Sequence, residues 1–412
     1  MSKLPMEGIR ICDLSTIWSG PFCTAYLGGM GAEVIKIESI QRPDSFRFGT
    51  TIFDECWEIY GPWNCTNVNK YGLTLDLSKP RGVELLKKLV SVSDVVIENF
   101  TTRVMKNFNL TYQILCKIRP DLIMVSVPGY GTTGPWQDHV GYGIAFEQTA
   151  GLAHITGYPD GPPQNIGGAA DPIVGMHAAF AILIALEHRR RTGEGQFIDV
   201  SQIETLTCLL GVPIMDYDIN QRVWGRLGNK DPVTAPHGLY PCKGDDTWLA
   251  IAISSEDEWK ALCLAMGNAE LANDERFLSP PNRFKNQDVL DKLIAKWTLE
   301  HDYYEAMTIL QKAGVPAGAV VSPETLHQEP HFKDRGFFQE LSRDIVGKQV
   351  YPSWPFRFSE TPIEMRPAPK LGEHNKYILN SILGLSEVDI EELENEKIIG
   401  NKPFGLGGGL SA

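Results

Sequence analysis

An α/β fold built on a doubly wound, largely parallel sheet is what this sequence predicts, and three observations carry it. Short β-rich runs alternate with helical patterns through the first half, the signature of strands joined by crossover helices. The composition shifts near Trp224, where turn signals cluster at Gly228-Asn229-Lys230-Asp231-Pro232 and Ala235-Pro236-His237-Gly238. From Phe337 the chain is Pro-rich and then helical, with too little apolar content for its own core, so it is expected to pack back on the first half. The expected division is a large domain beginning with residues 1–222, a small α/β domain over 223–335, and a returning segment over 336–412.

Taken in order, the strand patterns fall at residues 9–14, 33–38, 73–77, 95–98 and 122–127. Helical patterns begin at Pro21 and Pro80 and run around 104–118. Ligands of parallel sheets sit in the loops after the strands' carboxyl ends, here residues 15–21, 39–49, the stretch opening Asn99-Phe100, and 128–135. A long apolar helix begins near Ile173 and ends in His188-Arg189-Arg190-Arg191-Thr192-Gly193, where basic residues complement the helix dipole and Gly193 suits the stop. A strand at 196–200 and a helix at 203–210 follow. The small domain shows a strand at 248–253 and helices at 256–266, 289–297 and 303–313, and the tail shows helices near 378–385 and 388–394.

A chain of 412 residues with 43% hydrophobic content can bury a sizeable core. No run approaches the roughly 18 uncharged apolar residues of a membrane span, and the N-terminus lacks the apolar stretch of a signal peptide. The eight cysteines (12, 23, 56, 65, 116, 208, 242, 263) form no Cys-x-x-Cys pair and no metal-type cluster, which predicts reduced thiols, a cytoplasmic location and no metal. A net charge of −13 argues against a broad nucleic-acid surface but leaves room for a phosphate-bearing small molecule held by local basic groups. The C-terminal Gly-Gly-Gly-Leu-Ser-Ala reads as a flexible tail.

Asp171, in Gly-Gly-Ala-Ala-Asp-Pro, reads two ways. As structure, Asp is a favoured N-cap and Pro172 fits the first helical position. As chemistry, a helix terminus keeps a carboxylate ionised and stabilises oxyanions beside it, and Gly167 and Gly168 let a ligand approach the backbone, which suits a nucleophile. A nicotinamide site is excluded because no G-x-G-x-x-G follows the first strand, where Ile17-Trp18-Ser19-Gly20-Pro21 stands instead. Gly-x-Ser-x-Gly is missing as well, which weakens a serine-hydrolase reading.

Several stretches, taken together and in order, resemble the class III (family III) CoA-transferases, a group that also holds the α-methylacyl-CoA racemases. They include residues 14–21 with 27–38, Asn67-Val68-Asn69-Lys70, Val96-Ile97-Glu98-Asn99-Phe100, residues 129–135, Ala170-Asp171 with Gly175, residues 192–201, Ala235-Pro236-His237-Gly238, residues 314–318, and Pro369-Lys370-Leu371-Gly372-Glu373-His374-Asn375. The resemblance covers nearly the whole chain. It implies a Rossmann-like large domain made from both chain ends, an inserted small domain, and two subunits interlocked as rings, as a homodimer or with a homologous partner.

The resemblance also places the catalytic aspartate on Asp171. Its carboxylate would attack a donor acyl-CoA to give a mixed anhydride, then an aspartyl-CoA thioester, from which CoA passes to an acceptor acid, with the CoA thioester as substrate and no tightly bound cofactor. Ile17, Trp18 and Ser19 match the loop along the pantetheine and thioester, Leu75 an adenine contact, and Asn99 and Phe100 nucleotide contacts. Asn99 also reads as a cap of the following helix and Phe100 as core. Ser39 and Ser78 stand where some relatives carry basic residues, leaving Lys79, Arg47, Arg103 and Lys106 as nearby substitutes for phosphate contacts. Trp18 stands where relatives carry Gln or Ala, and its indole would narrow the acyl site or stack on a ring.

In the racemase branch a His lies in a Gly-His-Asp segment. Here the segment is Gly141-Tyr142-Gly143, and a tyrosine with a pKa of about 10 is a poor base near neutrality. His139 reads as a loop residue. Transfer is therefore favoured over racemisation, and an intact Asp171 argues against a purely structural subunit of a hetero-oligomer. Trp18, Trp57, Trp63 and Trp136 fall in segments expected around the cleft, which favours a bulky or aromatic acid such as benzylsuccinate, with succinyl-CoA as donor.

Overall fold

A computed structural model of the chain describes residues 4–49 and 55–404, so the expected flexible C-terminal tail lies outside the described residues. Two compact units emerge among the described residues: those up to 152, 165–221 and those from 334 onward form the first, and 153–164 with 222–333 the second.

The first unit is built on six parallel strands: β1 (Arg10–Asp13), β2 (Glu33–Glu38), β3 (Lys70–Thr74), β4 (Val95–Glu98), β5 (Ile123–Ser126) and β6 (Gln196–Asp199). Their order is β3-β2-β1-β4-β5-β6, so the topology reverses between β1 and β4 and opens a crevice where the loops after those two strands meet. Both faces of the sheet are covered, and successive residues serve opposite cores. Ile11, Val34, Val95 and Val125 face one helical layer, while Cys12, Ile35, Val96 and Met124 face the other. That double burial is why the central strands β4 and β5 read as nearly continuous apolar runs.

The helices are α1 (Ser19–Gly29), α2 (Pro80–Ser91), α3 (Thr102–Asn107), α4 (Tyr112–Leu115), α5 (Gly143–Thr149), α6 (Ala170–Thr192), α7 (Gln202–Thr207) and α8 (Gly211–Asn220). The single helix expected around 104–118 is thus two, because Asn109 takes a left-handed turn (φ 57°) between them. β3 lies three residues earlier than expected. Past Thr74 the Asp76 carboxylate accepts the Ser78 N–H (2.9 Å) and hydroxyl, turning the chain out of the ladder.

α6 begins at Ala170 with Ala169 as its N-cap and no side-chain cap, so Asp171 is a first-turn residue and not the expected cap. Its far end behaves as expected, with Gly193 (φ 79°) donating to the Arg189 carbonyl at 2.7 Å. Contrary to the expectation that no run approaches a membrane span, α6 is by length and composition long and apolar enough to cross one, its arginines being confined to the last turn of its 23 residues. In this fold Val174, Ala178, Ile182 and Ala185 of α6 pack on the sheet, whereas Phe180, Leu183 and Ile184 are exposed, as are Val212, Met215 and Ile219 of α8. Gly175 sets how closely α6 meets α1, since a Cβ there would stand 2.6 Å from the Ser19 carbonyl.

The second unit holds an antiparallel sheet of β7 (His237–Pro241), β8 (Trp248–Ala252) and β9 (Ala317–Ala319). Helices α9 (Glu256–Ala265), α10 (Gln287–Thr298) and α11 (Tyr303–Lys312) cover a core that includes Leu249, Trp259, Phe277, Leu290 and Leu310. Residues 153–164 join this unit although the composition shift lies far downstream. Gly228 donates to the Gly157 carbonyl (2.8 Å), and the Asn229 amide to the Tyr158 hydroxyl (3.1 Å).

The tail belongs to the first unit and adds a hairpin, β10 (Phe338–Arg343) with β11 (Gly347–Pro352). It also carries α12 (Glu387–Asn395), whose Ile390 and Leu393 join Leu86 and Leu89 in one core. The open edge of β3 is covered by the same tail. Asn69 donates to the Arg366 carbonyl (3.0 Å), Gly72 to His374 Nδ1 (3.1 Å) and Thr74 to Asn375 Oδ1 (2.8 Å).

Beneath that edge lies a buried charge network. Arg47 is fully buried, pairs with Glu38 (2.7 Å) and Glu58 (3.1 Å), and stacks 3.5 Å over the Trp63 ring. Glu58 also pairs with Arg343 of β10 and accepts the Leu371 N–H at 2.8 Å.

Candidate active site

The loop after β1 is held from several sides. The Asp13 carboxylate accepts from Ser15, from the Thr24 hydroxyl (2.6 Å) and from Lys70 Nζ (3.0 Å). Burial alone would raise its pKa, but Lys70, Lys36 and the two hydroxyls hold it down to about 2. Lys36, also fully buried, donates to the Ser15 carbonyl and lies 3.4 Å from Asp44. Asp44 in turn accepts the Ile17 N–H with both oxygens, at 3.1 and 3.0 Å.

Those contacts hold Ile17 at φ 67°, a conformation that costs a β-branched residue about 1–3 kcal/mol and persists only where surroundings over-determine it. Asn99 crosses from the β4 loop and closes the other side. Its Oδ1 accepts the Thr16 N–H (2.7 Å), and its Nδ2 donates to the Thr16 carbonyl (2.8 Å) and Ser19 Oγ (3.2 Å). It therefore does not cap the next helix, whose N-cap is Thr101. Glu98 beneath accepts the Phe100 N–H at 2.7 Å, and burial pushes its carboxyl up to about 7 against bonds from Ser126 and Phe100.

The strained turn delivers Ser19, whose N–H and hydroxyl both face the Asp171 carboxylate and favour its ionised form. Burial, aided by the charge of Glu147, raises Asp171 to about 6, and the Ser19 bonds oppose the rise. Gly143 at the start of α5 presses on the same carboxylate, because a Cβ there would stand 2.3 Å from Asp171 Oδ2. Gly168 abuts the Trp18 ring, where a Cβ would lie 3.3 Å from the indole. Trp18, Ser19, Asn99 and Asp171 are thus brought together at the sheet's switch point.

Other sequence candidates fall elsewhere. Leu75 is 1% exposed within the core, so its side chain has no open face. Phe100 packs partly buried against that core. Arg103 and Lys106 stand exposed on α3, and Lys79 precedes α2, with no ion pair made by any of the three among the described residues. Arg47 is excluded as a phosphate ligand, since its donors are spent on buried carboxylates. Trp57 and Trp63 are packing residues, 7% and 0% exposed, not cleft walls, and Trp136 stacks on His139 in an exposed loop. Trp18 does line a cavity of 420 Å³, with Phe22, Tyr26, Phe46, Trp354 and Met365. Among the described residues no cluster of three or more His, Cys, Asp or Glu could hold a metal.

Sequence comparison agrees with this geometry, matching the chain to CoA-transferase family III over residues 6–375. The chain belongs to that family. It is 34% identical over 404 residues to the succinyl-CoA–D-citramalate CoA-transferase of Chloroflexus aurantiacus, covering 96% of this chain and 98% of the relative. It is 34% identical to the succinate–glutarate CoA-transferase of Agrobacterium fabrum, over 92% of this chain and 95% of that one. The crystal structure of a CAIB/BAIF family protein from Brucella suis superposes with a TM-score of 0.83 at 31% identity, covering 92% of this chain and 100% of the other. The family III transferase moves CoA from an acyl-CoA to a carboxylate.

Gly143 is a residue the motifs passed over as a mere gap in the racemase pattern. Gly143→Ala is expected to drive a methyl group into the Asp171 carboxylate and lower kcat/KM by about 100-fold, near 2.7 kcal/mol. Steady-state kinetics beside a melting curve would check it, the melt remaining within a few degrees of wild type.

Proposed function

We propose that this transferase passes CoA from succinyl-CoA to a bulky or aromatic carboxylic acid, benzylsuccinate being the type, through an aspartyl-CoA thioester on Asp171. The observation that carries the reading is the Asp171 carboxylate itself, uncommitted as a cap, part-buried and aimed at the Ser19 turn. In the first step an Asp171 oxygen bonds the succinyl carbonyl carbon and the C–S bond breaks, leaving a mixed anhydride and CoA thiolate. The thiolate then attacks the aspartyl carbonyl and expels succinate, forming the enzyme thioester. The acceptor carboxylate attacks that thioester, and the released thiolate takes the acceptor acyl group, restoring Asp171. Backbone N–H groups near Gly167 and Gly168 are the candidates for holding the oxyanions. Ile17, Trp18 and Ser19 lie along the thioester in this reading, while Asn99 and Phe100 lie near the nucleotide, with Arg103 and Lys106 as its phosphate contacts.

Relatives named for succinyl-CoA with D-citramalate, and for succinate with glutarate, support the donor. The aromatic cavity beside Trp18 supports a large acceptor. Among the described residues no imidazole is seen to bond Asp171, which favours transfer over racemisation. The exposed apolar faces of α6 and α8 are where a second, interlocked subunit would pack. Incubation with succinyl-CoA and hydroxylamine tests the intermediate, because it should mark the Asp171 peptide with a hydroxamate mass. An unmarked peptide in active enzyme would sink the proposal. Trp18→Gln is expected to change the ranking of acceptor acids by about tenfold while CoA affinity holds, measured across a panel of acids. An unchanged ranking would mean that Trp18 only packs.

A further inference from the structure

We infer that Glu147 is a positioning residue for Asp171: its carboxylate clamps both ends of the glycine turn that presents the aspartate, and its charge stands behind the nucleophile. Glu147 lies on α5 and is 0% exposed. One oxygen accepts the Ile166 N–H at 3.0 Å and the other the Ala170 N–H at 3.4 Å. Between those two residues run Gly167 (φ 79°), Gly168 (φ 87°) and Ala169, and Asp171 follows at once. Two successive left-handed glycines form a pliable turn, which two bonds from one rigid carboxylate make definite.

A further consequence concerns the helix end. The first N–H groups of a helix need acceptors, and Asp, Ser or Thr at the N-cap supplies one. α6 has Ala169 there, with no side-chain cap. Glu147 provides an acceptor from a neighbouring helix, which leaves Asp171 without capping duty. Packing alone does not account for it. Among the described residues no cation pairs with this buried carboxylate, and a lone buried charge is unfavourable unless its hydrogen bonds serve something.

The elements around the pair carry these charged or titratable groups: Glu147 on α5; Asp171 and His177 on α6, with Glu187, His188 and Arg189 to Arg191 at its far end; Glu204 on α7; Cys23 and Tyr26 on α1; and Tyr130, Asp138, His139 and Tyr142 on the loop before α5. Of these, Glu147 is the one whose charge acts on Asp171, and it raises the aspartate's proton affinity. A more basic carboxylate is the stronger nucleophile.

The inference rests on Asp171 being the nucleophile, and the test separates the two. Glu147→Gln preserves the volume, but its amide turns an N–H₂ toward one of the two backbone donors and removes the charge. We expect kcat to fall at least about tenfold with KM for succinyl-CoA changed less than about threefold. The acid limb of the kcat/KM profile, set by Asp171 near pH 6, should move to lower pH. Glu147→Asp retains the charge and shortens the reach, so kcat should fall with the limb unmoved. An acid limb in Glu147→Gln that coincides with wild type, or wild-type kcat in either variant, overturns the inference. Hydroxylamine marking of Asp171 in the unaltered enzyme reports on the nucleophile separately. If that mark is absent, the underlying reading fails; if it is present while the limb stays, only the role of Glu147 fails.

Discussion

Asp171→Asn should abolish CoA exchange, by at least about 10⁴-fold, and yet melt at a higher temperature than the wild type at pH 7.5. The first effect follows from removing the attacking oxygen, worth about 5 kcal/mol or more of barrier. The second follows from the sign of the carboxylate's shift. Its folded pKa, raised to about 6, lies above the usual 3.8, so the associated stability is full below about pH 4 and is lost as pH rises through 6. At pH 7.5 the ionised group therefore burdens the fold by on the order of 1–2 kcal/mol, discounted for its partial exposure. Asparagine relieves that burden at pH 7.5 but not at pH 4. Unfolding curves at the two pH values, beside an exchange assay free of wild-type contaminant, measure both effects. Retained turnover would remove Asp171 from the chemistry, and an equal melting change at both pH values would refute the electrostatic account.

The largest loss of stability is expected from Glu58→Gln. Glu58 serves two buried guanidiniums, Arg47 and Arg343, and also the Leu371 N–H. Arg47 retains Glu38, but among the described residues Arg343 has no second carboxylate. Stripping one partner from a buried pair destabilises by about 3–5 kcal/mol, because the remaining charge is stranded out of water. Urea unfolding should show that loss as a lower midpoint at an unchanged slope. The exposed pairs of Arg81 with Glu392 and Glu396 make the control: Arg81→Ala should leave the midpoint where it was.

Much of this fold was legible because parallel strands announce themselves. β2 and β4 fall on the expected residues 33–38 and 95–98, each marked by Val and Ile in a short run. β3 was misplaced because it opens on Lys70, a residue that reads as solvated but has its ammonium buried on Asp13. The hairpin of β10 and β11 escaped notice since its strands are largely exposed and carry little apolar alternation. Within the site, Asp171 was visible in its glycine-rich approach, though its role as a cap was not upheld. Asp44, Lys36 and Glu147 were invisible. Their partners lie up to 27 residues away, and a lone charge in an apolar stretch does not say whether it is solvated or buried.

The returning tail has one more consequence, for synthesis. The cover for the edge of β3 and the second partner of Glu58 are supplied by residues after 334, which a ribosome delivers only once the whole second unit has been made. At about 5–20 residues per second, the nascent first unit waits roughly 6–20 s with a naked strand edge and with Glu58 lacking one of its two guanidinium partners. Such an intermediate is a natural client for chaperones that shield unpaired strands. Lesions in the tail are thereby directed toward the yield of folded enzyme, leaving each surviving molecule's turnover as it was.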